Sequence, residues 1–177
     1  AHTACGRAIL SRADRIICIT ESARMSYISG FGFDSKRLVT IYNGFDSADF
    51  RPGSARRRAS AGRTVITHSG SFYGTYFPDL FVRALAAALA ADESLARRVA
   101  VRFVGVMEGG MRERIDAMLP GRCVFSGYLS HRDAIDAILE SDINLIALPA
   151  RRDASYHVPG KLFEYLAAGR PILAVAP

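Results

Sequence analysis

From Thr64 onward, short apolar runs alternate with segments whose apolar residues recur at helical spacing, and this alternation most limits what the chain can become. TVITHS (Thr64 to Ser69), VAVRFVG (Val99 to Gly105), CVFSG (Cys123 to Gly127), INLIAL (Ile143 to Leu148) and PILAV (Pro171 to Val175) read as strands. Between them, Pro78 opens a helix with Leu80, Phe81, Ala84, Leu85, Ala88 and Leu89 on one face. A second helix carries Met111, Ile115 and Met118. Ser130 and Asp133 make an S-x-x-D start for a third, with Ala134, Ile135, Ile138 and Leu139 facing inward. Strands linked through helices by short connections run parallel, and INLIAL is apolar throughout, as a strand covered on both faces should be. The predicted fold class is α/β, a Rossmann-like parallel sheet with helices on both faces.

Upstream, RIICIT (Arg15 to Thr20) and RLVTIYN (Arg37 to Asn43) read as two more strands flanking a short helix from Ser22 to Ser29 closed by Gly30. The second strand ends at the Asn43-Gly44 turn. RPGSARRRASAGR then breaks all periodicity. Three segments are expected: 1–50, 51–62 as a linker, and 63–177 as the ligand-binding Rossmann-like domain. The Arg56 to Arg58 cluster is interleaved with Ser, Gly and Ala rather than aromatics, which favours a solvated linker over a nucleic-acid surface. A chain that starts at Ala1 and stops directly after a strand is read as a fragment.

Composition narrows the function classes. Half of the 177 residues are apolar, enough for a real core, and no run approaches the roughly 20 apolar residues of a membrane helix. Cys5, Cys18 and Cys123 are odd in number and widely spaced, so they are read as buried thiols of a cytoplasmic protein rather than disulfides or a metal knuckle; no metal is expected. The net charge of +6 is almost wholly arginine, and Lys36 and Lys161 are the only lysines. Anionic partners suit that balance.

Ligands of parallel sheets bind beyond the carboxyl ends of the strands. The longest such connection, PARRDASYHVPG, leads into YHVPGKLFEYLAAGRP. There Pro159 precedes a helix start, Gly160 leaves the backbone open, and first-turn amides point outward unsatisfied, an entry that suits an anion. Lys161 and Glu164 are expected to share the face opposite an apolar stripe of Leu162, Phe163 and Leu166. Glu164 then reaches what the amides hold, and ribose hydroxyls offer two donors to its two oxygens. On spacing alone the favoured reading is a solvated ion pair worth about 0.2 to 0.5 kcal/mol.

VPGKLFEYLAAGRPILA resembles the signature of retaining GT-B glycosyltransferases of family GT4. The segment from Arg15 to Phe50, with its NG-x-D turn at Asn43, Gly44 and Asp46, resembles the stretch joining that family's two domains. FVGVMEGG and VFSGYLSHRDAIDAILESDINLIAL resemble the middle of its donor-binding domain. The resemblance implies one half of a GT-B fold and transfer of a sugar, of hexosyl type, from a nucleoside-diphosphate sugar to an acceptor, with retention and without a cofactor.

Carried over residue by residue, Glu164 matches the family's ribose-binding Glu, while Gly160 and Lys161 match the helix start near the pyrophosphate. Gly70 matches the glycine after the first donor-domain strand. Tyr128 and Leu129 fall where backbone groups border the base. Lys161 and Glu164 are the expected catalytic pair; Ser71, Phe72, Tyr156, His157, Val158 and Pro159 complete the expected donor site. Three places depart from the family: Tyr156 stands where a sugar-contacting Glu is usual, and Ser71 and Tyr76 stand where basic residues are usual. Lys161, Arg151 or Arg152, with the helix dipole, must then stabilise the leaving diphosphate.

The partners implied are the nucleotide-sugar donor and a sugar or lipid-linked acceptor such as a polysaccharide or glycolipid precursor. Peripheral contact with an anionic inner membrane face fits the charge, and no nucleic acid is implied. The chain by itself is expected to transfer little, because acceptor groups come from the family's other domain. The alternative is a non-catalytic nucleotide-sugar or sugar-phosphate binding domain of the same fold. A Rossmann oxidoreductase is disfavoured, since no G-x-G-x-x-G follows the first strand of either segment. His68 reads as a satisfied core histidine, His131 as the exposed first residue of its helix, and Asp46 as a turn residue.

Overall fold

Five parallel strands in the order β5-β4-β3-β6-β7 form the main sheet of the computed structural model, which describes residues 2–50, 62–74, 77–148 and 158–176, with the side chains of residues 2–5 outside the description. They are β3 (Thr64–Ser69), β4 (Val99–Val104), β5 (Cys123–Gly127), β6 (Ile143–Ala147) and β7 (Ile172–Val175). Two of these, β3 and β5, have the bounds read from the sequence. Central β3 pairs Thr64 with Val99 on one side and Ile66 with Ile143 on the other. The chain steps outward from β3 to β4 and β5, then crosses back to β6 and β7. The strand order therefore reverses between β3 and β6, where parallel sheets open a ligand crevice.

The helices α3 (Asp79–Ala91), α4 (Glu93–Arg98), α5 (Met111–Met118), α6 (His131–Leu139) and α7 (Lys161–Ala168) connect these strands. One core gathers Phe72, Phe81, Val82, Val101, Phe103, Ile115 and Leu145; another gathers Ile135, Ile138, Ile146 and Tyr165. Each such side chain, removed from water, contributes about 1.5 to 3 kcal/mol. The phase of α3 differs from the sequence reading. Phe81 and Val82 are buried, with Leu85, Ala86 and Leu89 against the same core, whereas Leu80 is 68% exposed and Ala84 and Ala88 face outward. The inward face is set one residue further on because Val82 enters the core.

Local chemistry fixes the helix ends. Ser130 Oγ accepts from the Asp133 amide at 3.2 Å and donates to its carboxylate at 2.6 Å, the S-x-x-D cap read from the sequence. Asp92 caps α4, a helix the sequence reading omitted, by accepting from Leu95 N at 3.0 Å. At the end of α7, Gly169 takes φ 63°, and Arg170 Nε and Nη2 donate to Leu139 O at 3.1 and 3.0 Å. The GRP of the signature block thus satisfies a carbonyl at the end of α6 and returns the chain to β7.

The chain divides into two compact units, Ala1–Gly44 with Arg152–Gly160, and Phe45–Arg151 with Lys161–Pro177. The first holds α1 (His2–Ser11), β1 (Ile16–Cys18), α2 (Glu21–Phe31) and β2 (Leu38–Thr40), with β1 and β2 parallel and Ile16 opposite Leu38. Ile16, Cys18, Phe33 and Leu38 form its core. Thr20 caps α2, which ends at Gly32 (φ 67°) rather than at the expected Gly30. Cys18 is a buried free thiol and Cys123 a half-buried one. Apart from Gly62, the expected 51–62 linker lies outside the described residues. No helix among them is long and apolar enough to cross a membrane.

Candidate functional site

At the carboxyl end of β3 the chain enters Gly70, Ser71 and Phe72. Gly70 N donates to Val104 O at 2.8 Å, Phe72 N to Val106 O at 2.9 Å, and Val106 N to Ser71 Oγ at 2.9 Å, so this loop is fastened to the one after β4. The approach is close. A Cβ on Gly105 would lie 2.6 Å from both C and O of Gly70, and Gly105 sits at φ 124°, which favours glycine. Alternation along the loop leaves the Ser71 amide, among the described residues, without an acceptor.

His68, one turn of the pleat before this loop, is fully buried. Its Nδ1 lies 3.0 Å from Leu145 O, and a carbonyl only accepts, so Nδ1 carries the proton and Nε2 presents a lone pair. Lys161 Nζ donates to that lone pair at 3.2 Å. Burial, then the neighbouring Lys161 charge, push His68 down to about 3, with the Leu145 hydrogen bond opposing; it is neutral. Burial also pulls Lys161 down to about 8, opposed by Glu164. Tyr165, one helical turn after Lys161 and fully buried, accepts from Ser69 N at 2.9 Å and donates to Leu145 O at 3.3 Å. The first two turns of α7 are thereby tied to the ends of β3 and β6.

This corrects the expected helix face. Lys161 points inward beside Gly70 and His68, and among the described residues it forms no ion pair with Glu164. The core stripe of α7 is Leu162, Tyr165 and Ala168; Leu166 is 61% exposed. A buried acceptor on β3 draws the ammonium in, and Tyr165 takes the central core position.

Glu164 is half-buried and acts electrostatically on both Lys161, on its own helix, and His131, at the start of α6. His131 is exposed at the first position of α6, and its Nε2 lies 2.8 Å from Asp49 Oδ2. That hydrogen bond raises its pKa, with Glu164 and Asp46 adding smaller contributions. Asp46 accepts from Ala48 N at 2.8 Å, a turn contact as read. Tyr128 is 82% exposed and Leu129 half-buried, directly after β5.

Phe72 departs from its expected role. Its ring is fully buried and stacks on His68 at 4.4 Å between centroids, and its amide and carbonyl both go to the loop after β4, so the fold uses all of it. Val158, Pro159 and Gly160 belong to the first unit, where a Cβ on Gly160 would lie 3.9 Å from Asn43 Nδ2. Tyr156 and His157, like Tyr76, Arg151 and Arg152, lie outside the described residues. Sequence reasoning missed the roles of Tyr165, Gly105 and Asp49; for Tyr165 the signal was present, an aromatic with a polar tip at i+4 from the unusual lysine. Among the described residues no cluster of three or more His, Cys, Asp or Glu could hold a metal ion.

No family model matches the chain. It is 32% identical over 116 residues to D-inositol 3-phosphate glycosyltransferase 1 of Catenulispora acidiphila, covering 63% of this chain and 28% of that protein. With D-inositol 3-phosphate glycosyltransferase of Rhodococcus jostii it shares 27% identity over 179 residues, 94% of this chain and 38% of the relative. Among solved structures, WaaG, a glycosyltransferase involved in lipopolysaccharide biosynthesis, superposes with TM-score 0.69 at 17% identity, over 90% of this chain and 44% of that one. Anabaena HepE in complex with UDP and glucose gives TM-score 0.61 at 17% identity, over 92% and 44%. The chain thus spans between about a quarter and under half of the proteins it matches. By sequence and by fold alike, it is similar to glycosyltransferases of GT-B architecture, the likeness first carried by VPGKLFEYLAAGRPILA.

Proposed function

We propose that this chain is the donor-binding half of a retaining glycosyltransferase that moves a hexosyl group from a nucleoside-diphosphate sugar to an acceptor of the polysaccharide or glycolipid precursor class. The observation that carries the reading is the placement of the Lys161 ammonium beside Gly70 at the end of β3, where the strand order reverses. A diphosphate there meets the Lys161 charge, the Ser71 amide and the first-turn amides and dipole of α7. Glu164, on the same turn, accepts from the ribose hydroxyls, and the residues after β5, Tyr128 and Leu129, border the base. UDP is the nucleotide in the HepE structure and supplies the first probe.

The chemistry asked of these residues is charge stabilisation and positioning rather than nucleophilic attack. As the bond from the anomeric carbon to the diphosphate oxygen breaks, negative charge grows on the leaving group, and Lys161 with the α7 amides offsets it. The leaving phosphate takes the acceptor's proton on the same face, so configuration is retained. Acceptor groups belong to a facing domain, so this chain alone transfers little. Cytoplasmic action, peripheral to an anionic membrane face, suits the +6 charge.

Titrating UDP, GDP and NAD into the full-length protein tests the reading. A diphosphate nucleotide should bind, and Glu164→Ala should weaken it at least tenfold; unchanged affinity in that variant, or preference for NAD, overturns it. A non-catalytic sugar-nucleotide binding domain is the second reading, favoured by a serine, its Oγ spent on the Val106 amide, standing at position 71 where the resembled family usually has a basic residue. Absence of hydrolysis or transfer from any nucleotide sugar by the full-length protein would select it.

A further inference from the structure

We infer that His68, a buried residue of the central strand, is a positioning residue for the donor diphosphate, acting through Lys161: its Nε2 lone pair holds the ammonium at Gly70, where the phosphates bind. The inference rests on the proposed donor site and adds to it a residue that need not touch the ligand.

The imidazole has no freedom. Phe72 stacks on it with 19° between the ring planes, and Phe103 lies 6.4 Å away. Leu145 O fixes the protonated nitrogen, so the lone pair can point only where Nε2 points. A lysine carries its charge on a flexible four-carbon stem that in open surroundings extends into water. Here that stem runs past Gly70, whose missing side chain leaves the room: a Cβ there would meet Nζ and would lie 3.1 Å from Cε.

If His68 merely needed a partner for a buried nitrogen, a neutral donor would serve at lower cost. The fold instead brings up a cation and desolvates it. Of the ammonium's three donors one goes to Nε2, and none goes to a carboxylate among the described residues. A half-buried cation that, among the described residues, contacts no carboxylate directly and feels Glu164 only through space, next to an amide without an acceptor at Ser71, is a place prepared for a ligand's negative charge. His68 sets where that charge is met.

Two substitutions of His68 in the full-length protein separate positioning from structure. Asn places an amide nitrogen near the site of Nδ1 and can still donate to Leu145 O, but is too short for Lys161. Gln places a carbonyl oxygen near Nε2 and can still accept from Lys161, while giving up the Leu145 bond. Isothermal titration with UDP should show His68→Asn weakened about tenfold, one hydrogen bond to a charged group, with thermal stability near wild type. His68→Gln should keep affinity within about threefold despite a lower Tm. In a Lys161→Met background, His68→Asn should cost no further affinity. Wild-type UDP affinity in His68→Asn, or equal losses in Asn and Gln, overturns the inference; the donor-site reading survives either result if Glu164→Ala still loses affinity. If the wild-type protein binds neither UDP nor GDP, both fall.

Discussion

Gly70 and Lys161 share one space: the place a side chain on Gly70 would occupy is filled by the end of the lysine, with Cε 3.1 Å from an added Cβ. Gly105 stands behind Gly70 in turn, and what its own Cβ would meet is backbone, the Gly70 carbonyl at 2.6 Å. The two glycines therefore differ in what a methyl group displaces.

Gly70→Ala displaces a flexible side chain, and Gly105→Ala displaces main chain in a sheet connection. Both also force alanine into a positive φ, at a cost of about 1 to 3 kcal/mol. Urea unfolding should show Gly105→Ala the more destabilised by a further 1 to 3 kcal/mol or so, because backbone cannot step aside. Gly70→Ala should show the greater effect on UDP affinity per unit of stability lost, since it moves Lys161. The reverse ranking in both measurements would contradict the described packing.

Tyr165→Phe tests the link between α7 and β3. The variant keeps the ring and its apolar burial but leaves Ser69 N without its partner at 2.9 Å. Loss of a buried acceptor costs about 1 to 3 kcal/mol. Chemical denaturation is the measurement. A change under about 0.5 kcal/mol would mean that the amide finds another acceptor.

His131 and Asp49 make a pH-dependent contact between the start of α6 and the 47–50 turn. Its hydrogen bond to Asp49 raises the folded-state pKa of His131 above 6.5. Whatever stability the contact gives is therefore fully present below the unfolded value and is lost as pH rises through the folded one. In a proton NMR titration the His131 midpoint should lie above 6.5 and fall in Asp49→Asn. An unmoved midpoint would assign the shift to Glu164 and Asp46 instead.

Much of this architecture was legible because parallel strands announce themselves. TVITHS and CVFSG are short apolar runs bounded by turn residues, and β3 and β5 take those bounds. Helix phase was harder. Leu80 and Leu166 fit an i, i+3, i+4 stripe as well as their neighbours do, and only the rotation imposed by the sheet put Val82 and Tyr165 inside. Short α4 was hidden by its polar composition, with Asp92 as its one signal. The candidate site was legible in its residues but not in its directions. Lys161 stood out as one of two lysines, yet its partner is His68, 93 positions earlier, and no local spacing reveals a contact of that range.

Lys161 gives stability and binding opposite responses to alkali. Burial holds its folded pKa near 8 against an ordinary 10.5, so between those values the unfolded chain binds more protons than the folded one. Stability without ligand, as far as this group governs it, is lowest below pH 8 and rises as pH climbs from about 8 towards 10.5. Nucleotide affinity runs the other way, because a neutral amine offers the diphosphate no charge. UDP titrations from pH 6.5 to about 9.5 should therefore show affinity falling above a midpoint of about 8 in the free protein, displaced upward in the complex where the diphosphate stabilises the ammonium. Lys161→Met should lower affinity at neutral pH and flatten both profiles. Lys161→Arg keeps its charge throughout this range, so any affinity it retains should not fall near pH 8. A wild-type profile level across pH 8, or one unchanged in Lys161→Met, would show that the charge at Gly70 is not what the nucleotide meets.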